Sequence, residues 1–208
     1  LAPITNTSFV DSTIESGNPL LRPATTLNLD LMLDHYFQSV GVASVGIFYK
    51  RIDDFFFSSV ANEPAAVFNN ELALVEKRRN GDVGYVYGIE LNFYRQLDFL
   101  PGFLKGLGIY ANYTYAQSDA VFDRQLDGSE IKGRFPGQSD HNGNIALTFD
   151  IGGFSSRVSL NYTGSFIDDF NITNLGVLRT TVDDRFQLDA NASYRINKWL
   201  RVFVEGTN

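Results

Sequence analysis

Ser139, Asp140 and His141 stand in a row and are the residue types of a hydrolytic triad. A triad needs its three side chains to converge on one reacting atom. Consecutive residues of an extended chain point to opposite faces, so Asp140 turns away from Ser139 and His141. The trio therefore reads as a structural lead into a strand. The other histidine, His35, sits between Asp34 and Tyr36 with no second histidine at ligand spacing, and the chain has no cysteine. Neither zinc nor thiol chemistry is written here. Asp168-Asp169 and Asp183-Asp184 bracket one connection. Such carboxylates can hold Ca²⁺, but no EF-hand spacing accompanies them, and acidic loops are ordinarily just solvated. Lys77-Arg78-Arg79 with Asn80-Gly81 reads as a basic loop tip, solvated or touching lipopolysaccharide phosphates. Gly106-Leu107-Gly108 lacks the helix that must follow a phosphate loop, and Pro101-Gly102 is turn chemistry. The Asn-x-Ser/Thr triplets at Asn112 and Asn161 fall inside strands, where glycosylation is not expected. No catalytic residue, metal ligand or cofactor is assigned, the ligand-binding residues stay open, and the chain does not read as an enzyme.

The composition points the same way. Of 208 residues, 17 are Lys or Arg and 24 Asp or Glu, a net charge of −7 that argues against a nucleic-acid partner. No apolar run reaches the roughly 18 residues of a membrane-spanning helix. Yet 44% of residues are hydrophobic, with 18 Phe, 10 Tyr and 18 Gly, the balance of strands joined by many turns. The chain starts at Leu1 without an initiator Met or signal peptide and stops at Asn208, so both ends read as cuts through a longer protein.

The elements that carry these residues show a period of two. Leu27, Leu29, Leu31 and Leu33 alternate with Asn28, Asp30, Met32 and Asp34. Tyr85, Tyr87, Ile89, Leu91 and Phe93 alternate with Val86, Gly88, Glu90, Asn92 and Tyr94, and the beat recurs to the end of the chain. It predicts eight strands, near 25–37, 42–57, 84–97, 107–118, 139–150, 154–166, 184–196 and 199–207; Phe48 and Tyr49 leave the register of the second open. Most are longer than the five or six residues usual in soluble sheets and match the 9–11 of a tilted strand crossing a bilayer. The connections alternate short (38–41, 98–106, 151–153, 197–198) and long (58–83, 119–138, 167–183), with a lead-in over 1–24. Short turns at one end and long loops at the other are the pattern of an outer-membrane barrel. Tyr36, Phe37, Phe99, Phe103, Phe154, Tyr194 and Trp199 lie by the short turns, and Tyr85, Tyr87, Tyr162, Phe166 and Phe186 by the long loops, as two interfacial girdles would. The polar face carries Asp30, Asp34, Glu90, Arg157, Asp189 and Arg195, which would line an aqueous lumen, while the apolar face holds almost no charge.

Gly17-Asn18-Pro19-Leu20-Leu21-Arg22-Pro23, running into the alternating leucines, resembles the GNPxLxPE signature of TonB-dependent receptors, with Ala24 where that family usually has Glu. Further segments are similar in the family's order: Val86-Tyr87-Gly88-Ile89-Glu90, Ala111-Asn112-Tyr113-Thr114-Tyr115, Phe135-Pro136-Gly137-Gln138-Ser139-Asp140-His141, Gln187-Leu188-Asp189-Ala190 and Glu205-Gly206-Thr207-Asn208. The resemblance implies an all-β fold, an antiparallel transmembrane β-barrel of 22 strands plugged by an N-terminal domain. About eight strands over residues 1–208 would then be one slice of a barrel of roughly 570 residues, without the plug, the energy-coupling box and the closing strand. Two free edges should prevent such a slice from being a stable soluble monomer.

The function implied is active uptake of a scarce ligand (siderophore, vitamin or carbohydrate) across the outer membrane of a Gram-negative bacterium. The partners would be the inner-membrane TonB complex, reached through the plug, and outer-membrane lipid. The long loops would face the ligand, with Phe55–Phe57, Phe68, Phe122, Phe135 and Phe170 as candidate apolar contacts. A passive porin, with opposed charge clusters at a constriction and no plug, is the alternative, and a soluble lipocalin-like barrel a further one; an outer-membrane hydrolase lacks a convergent triad. The transported ligand is not written in the sequence.

Overall fold

The computed structural model describes residues 6–8, 13–65, 71–124, 128–173 and 176–208. Two short strands, β1 (Asn6–Ser8) and β2 (Thr13–Ser16), precede β3 (Thr25–Tyr36) and β4 (Gly41–Asp53). A hairpin of β5 (Phe56–Ala65) and β6 (Glu71–Asn80) is followed by β7 (Val83–Gln96) and β8 (Leu107–Arg124). The short β9 (Glu130–Gly133) leads to β10 (His141–Ile151) and β11 (Phe154–Thr163). A second hairpin, β12 (Phe166–Thr173) and β13 (Gly176–Val182), precedes β14 (Arg185–Arg195) and β15 (Arg201–Thr207). No helix among the described residues is long and apolar enough to cross a membrane, which leaves crossing by strands untouched.

The larger sheet runs β15-β14-β11-β10-β8-β7-β4-β3, with β9 added beside β8. These eight are the strands read from the period of two, each paired antiparallel with the next along the chain. Short turns join β3 to β4, β7 to β8, β10 to β11 and β14 to β15; every long connection lies at the other end.

Two expectations need correction. The strand expected over 42–57 stops at Asp53, because Asp54 takes φ +55°, the left-handed region that an aspartate tolerates better than most residues, and turns the chain into β5. The long connections 58–83, 119–138 and 167–183 are not irregular loops. They form the two hairpins and an upward extension of β8 with β9, and the hairpins join β1 and β2 of the lead-in in a second sheet in the order β1-β2-β6-β5-β12-β13. Lys77, Arg78 and Arg79 are therefore not a loop tip but part of β6, where Arg78 pairs with Ser58 of β5. A sheet standing above the membrane has no lipid-facing stripe to write a strict alternation into its sequence, so it escapes a search for one.

The pairing register settles which faces are shared. On the larger sheet Leu29, Leu31, Ile89 and Leu188 are 58%, 68%, 44% and 51% exposed, on one face with Val45, Ile47, Ile145 and Leu147. They pack into no closed centre. A soluble protein rarely leaves so much contiguous apolar surface open, whereas a membrane barrel turns it to lipid. Phe48 belongs to the opposite face and lies across Gly88; a Cβ at Gly88 would meet its ring at 2.7 Å. That aromatic-over-glycine pairing fixes the register of β4 and places Ile47 and Tyr49 outward.

The stripe drifts across the sheet. The hydrogen-bonded row from Leu33 passes Val45, Leu91, Tyr113, Gly143 and Tyr162 and arrives at Phe186. Leu33 closes the stripe of β3 at its short-turn end, and Phe186 opens the stripe of β14 at its long-connection end. The stripe's centre thus moves about seven residues over six strand-to-strand steps. At about 3.3 Å per residue and about 4.8 Å per step, the strands lean about 39° from the normal of a flat apolar slab. Membrane barrels tilt by about 35–45°. A planar hydrocarbon layer is what cuts a diagonal band across tilted strands, so the larger sheet is part of the wall of a transmembrane barrel.

Candidate functional site

The inward face is built of amides. One row crosses seven strands: Asp34, Ser44, Asn92, Asn112, Asn144, Asn161 and Gln187. Asn144 donates its Nδ2 to Asn161 Oδ1, and Asn161 donates to Asp189 at 2.9 Å. Gln187 Nε2 reaches the same carboxylate at 3.0 Å, and Asn112 donates to the Tyr110 hydroxyl at 3.0 Å. Arg157 stacks on the Tyr110 ring, 5.4 Å from its centroid. Amides donate and accept at once, so the row offers hydrogen bonds of both senses without a strong field. The polar partners were visible in the sequence as the polar beat of each strand; only the pairing register aligns them into a row.

Above this wall the inward face turns apolar. Phe55, Phe57, Ala120 and Phe122 are buried together, with Ile52, Ile131, Phe135 and Ile167 against them. The Phe55 ring meets Phe122 edge-on at 5.2 Å and Phe135 at 4.9 Å, and Phe57 meets Phe122 at 5.5 Å. Small residues beneath make the room: a side chain at Gly84 would run into the Phe135 ring. The cluster latches the β5–β6 hairpin to the top of β8. Gly81 and Asp82 complete the join, donating to the carbonyls of Phe55 at 2.6 Å and Val121 at 2.9 Å.

The Gly17–Pro23 segment is the second brace. Asn18 accepts the Leu20 N–H at 3.0 Å, closing an Asx turn, and donates to the Arg78 carbonyl at 3.0 Å. Asn80 accepts the Arg22 N–H at 2.9 Å and donates to the carbonyls of Arg22 at 2.8 Å and Asp54 at 2.7 Å. Arg22 and Asp54 form an ion pair at 2.5 Å. Asn80 thus ties the lead-in, the left-handed residue Asp54 and the end of β6 together. Asn80→Ala removes these bonds at a local cost of about 1–3 kcal/mol. Amide hydrogen exchange in β6 and around Arg22 should speed up about 5- to 150-fold while β10 and β11 stay protected; equal protection in wild type and variant would show that Asn80 holds nothing.

Two crevices open at this end. The smaller, of about 210 Å³, lies among Phe56, Phe57, Arg78, Phe122, Phe135 and Pro136. Its Arg78 is exposed and makes no ion pair among the described residues. The larger, of about 800 Å³, lies between the tops of β7 and β8, the chain after β9, and the β12–β13 hairpin.

The residues singled out in the sequence now have places. Ser139 Oγ donates to the His141 carbonyl at 3.0 Å and accepts the His141 N–H at 3.3 Å. Asp140 pairs with Arg134 at 2.5 Å, and the His141 ring turns to the Tyr113 hydroxyl, 2.7 Å from Nδ1. The three side chains diverge at the entry to β10. His35 packs edge-on against Phe37 at 5.0 Å. Asp168 lies in β12, and Asp183 and Asp184 lie between β13 and β14; no group of three acidic or histidine side chains gathers among the described residues, and the Asp169 side chain lies outside them. Of the phenylalanines expected to meet a ligand, Phe55, Phe57, Phe122 and Phe135 converge and Phe56 stands exposed at the smaller crevice, whereas Phe68 and the Phe170 side chain lie outside the described residues. By the short turns Phe99, Phe103 and Trp199 are exposed, and the Arg95 guanidinium sits 4.6 Å from the Phe37 ring.

The fold has clear relatives among solved structures. A mutant of the ferric enterobactin receptor PfeA from Pseudomonas aeruginosa superposes with a TM-score of 0.60 at 15% identity, over 92% of this chain and 26% of that one. The copper transporter OprC gives 0.59 at 14% identity, over 86% of this chain and 24% of OprC. The siderophore receptor PirA from Acinetobacter baumannii gives 0.56 at 13% identity, over 89% and 27%. The chain spans about a quarter of the length of these proteins. No curated protein matches it. The family model described as TonB dependent receptor-like, beta-barrel matches residues 2–208, and the chain belongs to that family.

Proposed function

We propose that the chain forms part of the wall of an outer-membrane receptor in a Gram-negative bacterium, which imports a scarce ligand with energy delivered by the inner-membrane TonB complex. In this reading the remaining strands and a lumenal plug come from the rest of the protein, and the plug is the element that TonB engages. The observation that carries it is the pairing of two faces on one wall: a lipid-facing stripe outside, and inside an amide row that continues upward to a latched, partly aromatic mouth. The amide row on the described inward face is mostly neutral, which supports hydrogen-bonded capture of a ligand over the charge-guided passage of a passive porin. The relatives' names span ferric enterobactin and copper, so the fold alone does not choose among a siderophore, a vitamin and a carbohydrate. The smaller crevice, with Arg78 beside exposed Phe56, supports an anionic ligand with a flat apolar part.

The test is transport. The complete receptor, expressed in cells with and without TonB, is offered a ferric catecholate, cobalamin and a maltodextrin, each radiolabelled. The expected result is saturable accumulation of one probe that falls to background without TonB. Accumulation that persists without TonB would make the protein a passive pore.

A further inference from the structure

The amide row on the inward face is not level. Rows of partners run perpendicular to antiparallel strands. Strands that lean about 39° from the membrane normal therefore tilt every row by the same angle from the membrane plane. From Asp34 to Gln187 the row takes six strand-to-strand steps of about 4.8 Å and rises about 18 Å. The apolar band of a membrane barrel is about 25 Å tall, so the row crosses most of it. Its lower end, Asp34, stands two residues before β3 ends at a short turn. Its upper end, Gln187, stands two residues after β14 begins, where the chain returns from the β12–β13 hairpin. The row is thus a ramp on the inside of the wall, from beneath the second sheet to the short-turn end.

Its chemistry repeats from step to step. Asn92, Asn112, Asn144, Asn161 and Gln187 each bring a donor and an acceptor, one strand spacing of about 4.8 Å apart. The Ser44 and Asn92 side chains are half-buried and make no hydrogen bond among the described residues. Asn112 donates to the Tyr110 hydroxyl and keeps its Oδ1 open. The carboxylate within the row, Asp34, stands at its lower end. No sign of charge prevails beside it: Glu90 and Arg185 lie in the row above, and Asp189, in the row below, is already held by Asn161 and Gln187. Passage needs sites that attract a solute and let it go again. A run of like sites, each weak and neutral, does this, whereas a fixed charge would hold a charged solute in place.

We propose, resting on the receptor reading, that the amide row is the wall side of the passage the imported ligand follows once the plug has moved, entering at Gln187 and leaving at Asp34. The ligand that fits it carries several hydrogen-bond donors and acceptors and exchanges them from one amide to the next. Because the row slants, the ligand travels sideways across the wall, from β14 toward β3, as it descends. A straight descent would take another course. Thr148 on β10 lies two strands across and two rows down from Gln187, which at the same tilt places it about 16 Å directly beneath.

The experiment uses the complete receptor in cells with and without TonB, offered the same three radiolabelled probes, a ferric catecholate, cobalamin and a maltodextrin. The Asn92→Leu, Asn112→Leu double variant removes two steps of the ramp. On cells lacking TonB it should bind the probe that wild type accumulates with unchanged affinity. In cells with TonB it should accumulate that probe about 10-fold more slowly. Asn92→Gln, Asn112→Gln keeps the amides and should stay within about 2-fold of the wild-type rate. Thr148→Val, beneath Gln187 but off the ramp, should match wild type. Heat-modifiable migration on gels confirms that each variant is assembled. A wild-type rate in the leucine variant, or an equal loss in Thr148→Val, would overturn the ramp and leave the receptor reading standing. Weaker surface binding, or new sensitivity to vancomycin, which an intact outer membrane excludes, would show that the row seats the resting ligand or the plug and would overturn it as well. No TonB-dependent accumulation by wild type would end the receptor reading and the ramp with it.

Discussion

Ile89→Arg in the complete receptor lowers the stability of the folded barrel by about 2–4 kcal/mol, because the charge enters the hydrocarbon near its centre. Thr114→Arg, on the neighbouring strand but on the inward face, costs less than about 1 kcal/mol, because it stands opposite Glu90 in the lumen. Reversible urea unfolding in lipid vesicles gives both numbers. The comparison is sharp because the two sites lie one register step apart and differ chiefly in the face they occupy: Ile89 pairs with Tyr115, and Glu90 with Thr114. Equal costs would mean that the stripe through Ile89 and Leu91 does not meet lipid, and the assignment of inside and outside would fail with it.

Phe122→Ala unlatches the mouth. Phe122 is 1% exposed and holds two rings edge-on, and removing a phenylalanine from such a site costs about 3–5 kcal/mol. Most of that cost is local, since the cluster joins the β5–β6 hairpin to β8 and little of it reaches the membrane-spanning rows. The expected result is a barrel that still migrates as folded on unheated gels but is cut by trypsin at Lys77, Arg78 or Arg79, where the wild type resists. Those three residues stand in β6, and paired strands are poor protease substrates. A variant as resistant as wild type would show that the Asn18 and Asn80 braces hold the hairpin without the cluster.

The wall was legible in the sequence, and the mouth was not. Lipid on one side and water on the other impose a period of two; Phe186 to Tyr194 obey it residue by residue, and Leu27 to Leu33 depart from it only at Met32. The β5–β6 hairpin stands in water and is held by aromatic contacts with distant strands, so Glu71–Asn80 reads as a charged connection. Phe122 and Phe135 could be named as apolar candidates, but their meeting with Phe55 depends on how far β8 rises above the membrane. The amide row was half visible: each Asn sits on the polar beat of its own strand, and only the register lines them up.

The second sheet bears on the energetics of capture. Connections over the mouth of a barrel would ordinarily have to freeze around whatever they hold, at about 1–2 kcal/mol for each backbone unit fixed. Here much of that freezing has already happened during folding, in the ladder that joins β5 to β6 and β12 to β13. In the proposed receptor a guest would then meet a pre-ordered vestibule and keep more of its contact energy as affinity. Such a vestibule would discriminate by shape, and new specificities would be reached by exchanging side chains on a standing frame instead of relearning how to close.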